Sequence, residues 1–108
     1  MDDATYFEVE DAGLLDPAAV LTGCVESGAR GVLLDEDALP AEFFDLSTGL
    51  AGELLRKLTT YRIRLAGVVP DPALHSQAFR DFMREANRGH QFRFFPSRRE
   101  ALDWLESG

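Results

Sequence analysis

The sequence has few of the residues on which most catalytic and metal sites depend. It holds one cysteine, two histidines and one lysine in 108 residues. A single cysteine excludes an intrachain disulfide and favours a reducing compartment. Zinc sites need three or four ligands at characteristic spacings, which His75 and His90 do not supply. No G-x-S-x-G elbow is present for Ser-His-Asp catalysis, and Cys24 lies on an apolar helical stretch typical of inert packing. We therefore expect no enzyme activity, no metal and no cofactor.

Long apolar runs and an excess of basic residues are also missing. No apolar run approaches the roughly 20 residues of a membrane span. The first residues, Met1 to Ala4, are acidic where a secretory signal would be basic. The net charge is −8, whereas nucleic-acid binding needs a basic surface. These features predict a cytoplasmic protein that binds neither membrane nor nucleic acid.

The patterns that are present predict one α/β domain over residues 1–108. Strands are expected at 5–9, 31–35, 63–69 and 92–95. Helices are expected from Pro17 to Ser27, from about Ser47–Thr48, from about His75 to Arg88, and after Ser97. Strands that alternate with helices in this way indicate a mostly parallel four-stranded sheet with about four helices.

Local signals mark several helix ends and inner faces. Asp16 before Pro17 is typical of an N-cap, Gly28 and Gly89 are expected C-caps, and Ser97–Glu100 spells a capping box. The expected inward-facing residues are Ala18, Leu21 and Val25 in the first helix, Leu50, Leu54, Leu55 and Leu58 in the second, Ala78, Phe79, Phe82, Met83 and Ala86 in the third, and Ala101, Leu102 and Leu105 in the last, which Trp104 flanks.

Charged residues interrupt three of the predicted strands. Glu8, Arg64 and Arg93 each lie between apolar neighbours, which a strand buried on both faces would not tolerate unpaired. The helices should therefore lie largely on one face and leave a mixed face that also carries Tyr6 and Phe95. Pairing of Glu8 with the two arginines is the favoured account of that face. A covering terminal segment and a homodimer contact are the alternatives.

Residues 43–55 form the least generic segment of the chain. Gly49 and Gly52 fall in the first turn of a predicted helix, where glycine is costly unless the backbone must approach something. Ser47 and Thr48 stand just before them, at the carboxyl edge of the sheet. Free amides and two hydroxyls suit an anion or a phosphorylated side chain. N-capping with glycines for close helix–sheet packing is the structural alternative.

Two families share these motifs. Strand GVLLD followed by S-T-G-L-x-x-x-L-L resembles the STAS domain of anti-anti-sigma factors, as do Gly13–Asp16 and Ser97–Leu102. That resemblance implies a protein-binding switch, with Thr48 at the place of the phosphorylated serine and Ser47 before it. Leu46 takes the place of the family's aspartate, and Asp45 is displaced by one. The chain resembles more closely an uncharacterised bacterial family, domain-of-unknown-function family 4180, through ALPAEFFDLSTGLAGE, KLTTYRIRLA and RDFMREANRG, which implies no activity.

The sequence thus predicts a regulatory, protein-binding domain whose switch candidates are Asp45, Ser47, Thr48, Gly49 and Gly52. A small-ligand or anion-binding module that uses the Gly49–Gly52 amides is the alternative. The third predicted helix carries a stripe of arginines at every fourth residue, Arg80, Arg84 and Arg88. It could bind an acidic protein partner, or it could be a solvated face whose positive charge is balanced by Asp81 and Glu85. Asp35–Asp37 could hold Mg²⁺, although a solvated acidic loop is favoured.

Overall fold

The computed structural model describes residues 6–9 and 16–107, so Met1–Thr5, Glu10–Leu15 and Gly108 lie outside the described residues. The strands are β1 Phe7–Glu8, β2 Gly31–Asp35, β3 Arg64–Val68 and β4 Phe92–Phe95. The helices are α1 Pro17–Ser27, α2 Ala41–Phe44, α3 Leu50–Thr60, α4 Gln77–Ala86 and α5 Arg98–Ser107. Short 3₁₀ turns cover Glu36–Ala38, Leu46–Thr48 and Pro72–Leu74. Among these helices none is both long and apolar enough to span a bilayer.

The four strands form one parallel sheet in the order β1-β2-β3-β4. Because each new strand adds on the same side and crossovers are right-handed, every connecting helix must lie on the same face. The predicted α/β class and parallel sheet are therefore confirmed. All four carboxyl ends meet at one edge, where the loops that follow the strands come together.

Two apolar clusters cover the two faces of the sheet. The larger one packs α1 to α4 against the sheet and contains fully buried Phe43, Leu54, Leu58 and Phe79. The smaller one packs Ala101 and Leu105 of α5 on β2 and β3. The helices thus lie largely on one face, as predicted, and among the described elements α5 is the helix that covers the other. No strand follows α5 among the described residues, so the crossover rule does not fix its face.

The mixed face predicted from the charged strand positions is the face under α5. Trp104 lies over it, with the Arg64 guanidinium 3.8 Å from the ring centroid. Glu8 pairs with Arg98 at 2.6 Å, and Arg93 donates to the Gly89 carbonyl at 2.8 Å. The predicted pairing of Glu8 with Arg64 and Arg93 is therefore wrong, because the first residue of α5 reaches Glu8 instead.

The helix ends follow the local signals in most places. Asp16 accepts from the Ala18 amide at 3.2 Å, Gly28 ends α1 at φ 75°, and Ser97 accepts from the Glu100 amide at 3.2 Å. Gly89 is not the cap of α4, which ends at Ala86. Asn87 caps it, and its side-chain oxygen accepts from the Phe94 amide at 2.7 Å, which joins α4 to β4.

The inner face of α1 differs from the predicted one. Val20 and Cys24 are buried, whereas Val25 is 61% exposed and Ala18 is exposed. Apolar residues occupy most sides of this helix, so their spacing does not single out one face. In α4, which begins at Gln77 rather than His75, Phe79 and Met83 are buried as predicted, and Ala78 is exposed.

Candidate functional site

The segment that follows β2 carries the residues singled out in the sequence. After α2, residues Leu46–Thr48 make one 3₁₀ turn, and Gly49 adopts a left-handed conformation at φ 79° before α3 begins at Leu50. The long helix α3 therefore starts at Leu50, two residues after Thr48, rather than at about Ser47–Thr48 as predicted. Ser47 and Thr48 are both exposed at the carboxyl edge of the sheet.

Asp45 organises the turn on the Ser47 side. Its Oδ1 accepts from the Ser47 hydroxyl at 2.6 Å and from the Ser47 amide at 3.1 Å. These bonds, the one from the hydroxyl first, lower the pKa of the Asp45 carboxyl below its ordinary value of 3.8. Asp45, which is displaced by one position relative to the aspartate of the STAS motif, thus hydrogen-bonds Ser47 directly.

Thr48 joins the end of α2 to the start of α3. Its Oγ1 lies 2.7 Å from the Glu42 carbonyl and 2.8 Å from the Asp45 carbonyl, both of which can accept its proton. The same oxygen accepts from the Leu50 amide at 3.3 Å. The Thr48 hydroxyl is therefore part of the local fold, whereas the Ser47 hydroxyl bonds only the exposed Asp45 side chain among the described residues.

The two glycines play different parts. Gly49 supplies the positive φ, and its amide bonds the Leu46 carbonyl at 3.1 Å. A Cβ added at Gly52 would meet nothing within 4 Å, so close helix–sheet packing does not explain this residue. Glu53 already donates its amide to Gly49. Among the described residues this leaves the Ala51 and Gly52 amides as the free donors at the start of α3.

An open cleft of about 480 Å³ lies beside this turn. We call it the Leu74 cleft. It is lined by Ala41, Phe44, Asp45, Leu46, Ser47, Leu74, His75, Ser76 and Ala78. Leu74 is 74% exposed, the highest value among the large apolar residues described. The cleft therefore combines an apolar surface with the Asp45–Ser47 pair.

His75 is the residue of this site that sequence reasoning missed. Its Nε2 lies 2.9 Å from Glu36 Oε2, and its ring stacks on Phe44 with centroids 4.4 Å apart. The pair ties the loop after β3 to the loop after β2. The only available signal was that both loops leave neighbouring parallel strands at the same edge.

The other predicted candidates are the arginine stripe and the acidic residues Asp35–Asp37, whose contacts are local in the described structure. Arg84 pairs with Asp81 at 3.0 Å, Arg88 lies 3.9 Å from Glu85, and Arg80 donates to Gln77 at 3.1 Å. Arg80 and Arg84 thus have a partner on α4 and Arg88, two residues beyond its end, lies near Glu85, while the buried Arg80 Nε has no hydrogen-bond partner among the described residues. Asp35 accepts from the Asp37 amide at 3.1 Å and lies 3.9 Å from Arg98. Over residues 6–9 and 16–107, no three His, Cys, Asp or Glu side chains lie together as metal ligands would.

A family model described as a domain of unknown function, DUF4180, matches residues 10–105. No curated protein and no solved structure matches the chain. The match covers nearly the whole chain and therefore includes the Leu74 cleft, α3 and the arginine stripe.

Proposed function

We propose that this chain, which belongs to the DUF4180 family of unknown function, is a non-enzymatic domain that regulates by binding another protein. Its setting would be the bacterial cytoplasm, in keeping with its single, buried cysteine. The contact surface would be the Leu74 cleft together with the Ser47–Thr48 turn.

The exposure of Leu74 is the observation that carries this proposal. A leucine that is 74% exposed keeps about three quarters of its surface in water, and burying it against a partner would contribute up to about 1.5–3 kcal/mol. The apolar residues Phe44 and Leu46 line the same cleft. Apolar surface rimmed by polar groups is typical of protein contact sites.

Phosphorylation of the turn would change this surface in two distinct ways. A phosphate adds roughly two negative charges. On Ser47 it would face the ionised Asp45 carboxylate and repel it. On Thr48 it would also remove the proton that the Glu42 and Asp45 carbonyls accept, which would loosen the link between α2 and α3. Either modification would weaken binding of a partner that recognises the unmodified turn.

Anion binding at the start of α3 is the second candidate. The open space around Gly52 favours it, because nothing blocks approach to the Ala51 and Gly52 amides. The nearby carboxylates of Asp45 and Glu53 oppose an anion there. Titration with inorganic phosphate, followed through the NMR shifts of these two amides, tests it. Saturable shifts confined to Ala51 and Gly52 would favour the anion site over the protein contact.

Site-specific photo-crosslinking in the native cells tests the protein-binding proposal. A benzophenone amino acid would replace Leu74 in one variant and Val25, which is 61% exposed on α1, in the control. We expect one discrete adduct from position 74 and none from position 25. Equal labelling at both positions, or no adduct at 74, would contradict the proposal.

The switch needs its own measurement. Phosphopeptide mass spectrometry on protein from native cells should find phosphate at Ser47 or Thr48. Consistent absence of phosphate at both would remove the switch and leave the contact surface in place.

A further inference from the structure

Strand β4 has one side without a neighbouring strand, because it is the last in the order β1-β2-β3-β4 of the described sheet. On its other side the Leu65 amide of β3 donates to the carbonyl of Gln91, just before β4, at 2.8 Å. Successive residues of a strand point their backbone groups to opposite sides. The amide and carbonyl groups of Phe92 and Phe94 therefore point away from β3. Such backbone groups at the edge of a sheet are a template for a strand of another chain.

The composition of β4 favours strand pairing. Three of its four residues are phenylalanine, and aromatic residues are common in strands. Phe92 and Phe94 are buried in the larger apolar cluster, which holds the strand in place. Arg93 is the one charged residue among them. An edge strand of this kind pairs with another copy unless some feature of the fold prevents it.

Asn87 occupies one of the outward-facing backbone groups. It directly follows α4, and its Oδ1 accepts from the Phe94 amide at 2.7 Å. The Asn87 backbone is itself fixed, because its amide donates to the Met83 carbonyl in α4 at 2.9 Å. A strand that added to this edge would need the Phe94 amide as a donor. The side chain of Asn87 thus takes the place that a carbonyl of an added strand would take.

Arg93 protects the same edge in a second way. Its Nε donates to the Gly89 carbonyl at 2.8 Å, which ties the loop between α4 and β4 to the strand. If two copies paired through antiparallel β4 strands centred on this residue, their Arg93 side chains would also come close together, and like charges in that position repel. Charged side chains are a common protection of sheet edges.

We propose that Asn87, assisted by Arg93, blocks the β4 edge against strand addition by a second copy of this chain. Because the Phe94 amide already donates to a side chain of its own chain, a second β4 would have to displace Asn87 before it could pair. The block is independent of the proposed function, since none of these residues lines the Leu74 cleft.

Analytical ultracentrifugation of the purified full chain tests the block. The double variant Asn87→Ala, Arg93→Thr removes both features, so it should form a dimer of antiparallel β4 strands at concentrations where the wild type has a lower mass. Asn87→Ala alone should dimerise more weakly. Asn87→Asp keeps an acceptor oxygen at the same place and should have the mass of the wild type. Arg84→Thr removes an exposed charge from α4 and is the control for the loss of charge.

Amide hydrogen exchange shows whether the edge is the surface that associates. In dilute, monomeric Asn87→Ala the Phe94 amide should exchange roughly fivefold faster than in the wild type, as expected for the loss of a hydrogen bond worth about 1 kcal/mol. In the dimer of the double variant this amide should be protected again.

Two results would overturn the inference. A double variant that circular dichroism shows to be folded, and that keeps the mass of the wild type, would mean that the Asn87 bond only joins α4 to β4. Association without protection of the Phe94 amide would mean that the copies meet through another surface. If the double variant does not fold, Asn87→Ala alone decides by the same two criteria. Neither result bears on crosslinking at Leu74, which tests the proposed function separately.

Discussion

Glu8 and Arg98 lie 90 positions apart in the sequence and form a two-point ion pair. Arg98 Nη1 lies 2.8 Å from Oε2 and Nη2 lies 2.6 Å from Oε1. The contact ties β1, an edge strand of two described residues, to the first residue of α5. The Arg98 hydrogen bonds lower the pKa of the Glu8 carboxyl against the opposing effect of its partial burial.

This pair should make stability depend on acid pH. Since the folded state lowers the pKa of Glu8 from 4.5, its contribution is present above pH 4.5 and is lost as the pH falls through the lower folded value. We expect Glu8→Gln to reduce the free energy of unfolding by up to about 1 kcal/mol at pH 7, and by much less near pH 3. Urea unfolding at both pH values measures this, with Glu26→Gln on α1 as the control. An equal deficit at both pH values would contradict the ion-pair explanation.

The Thr48 hydroxyl should matter more to stability than the Ser47 hydroxyl. Thr48→Val keeps the shape of the side chain and removes the proton shared with the Glu42 and Asp45 carbonyls, so we expect a loss of about 1 kcal/mol. Thr48→Ser should be close to wild type because it retains the hydroxyl. Ser47→Ala should cost less than Thr48→Val, since its partner is an exposed carboxylate. Thermal or urea unfolding of the three variants would show whether this order holds.

Two glycine-to-alanine changes should have opposite effects. At Gly67 a Cβ would lie 2.6 Å from the ring of buried Phe94, so we expect a loss of about 1–3 kcal/mol from overpacking. At Gly52 the space is open, so alanine should stabilise α3 by up to about 1 kcal/mol. Urea unfolding of the two variants measures this. If both changes raised or both lowered the free energy of unfolding, the space around each glycine would not explain its effect.

Cys24 should be unreactive until the protein unfolds. Its side chain is fully buried, and burial raises the pKa of the thiol to about 11, so almost no thiolate exists at pH 8. We expect a disulfide reagent such as DTNB to label it only in denaturant. Val25→Cys adds an exposed thiol next to it and should label one equivalent at once in the folded state. Fast labelling of the wild-type protein would refute this account.

The elements that the sequence predicted well are those that depend on near neighbours. β2 and β4 have the predicted bounds, and the caps at Asp16, Gly28 and Ser97 act within four residues along the chain. The alternation of strands and helices also predicted the parallel sheet, because crossover handedness leaves few arrangements. The Ser47–Thr48 segment was correctly assigned to the carboxyl edge for the same reason.

The start of α3 could not be predicted from local sequence signals alone. Ser47 and Thr48 have the composition of a helix N-cap, yet the left-handed Gly49 inserts a separate turn before the helix. The hydrogen bond from the Thr48 hydroxyl to the Glu42 carbonyl could not be predicted from the sequence. It forms only because α2 ends at Phe44 and the chain then turns back at Leu46–Thr48.

Thus the sequence by itself determined the class of fold, the order of its elements and the edge that bears the Ser-Thr-Gly turn, because these follow from periodicity, caps and chain connectivity. Only the tertiary structure decided that Arg98 pairs with Glu8, that His75 meets Glu36, that α5 covers the second face, and which side of α1 is buried. These contacts join residues that are distant in sequence. Many other residues of the same charge or hydrophobicity could have formed them, and only the packing of the folded chain determines which residues meet.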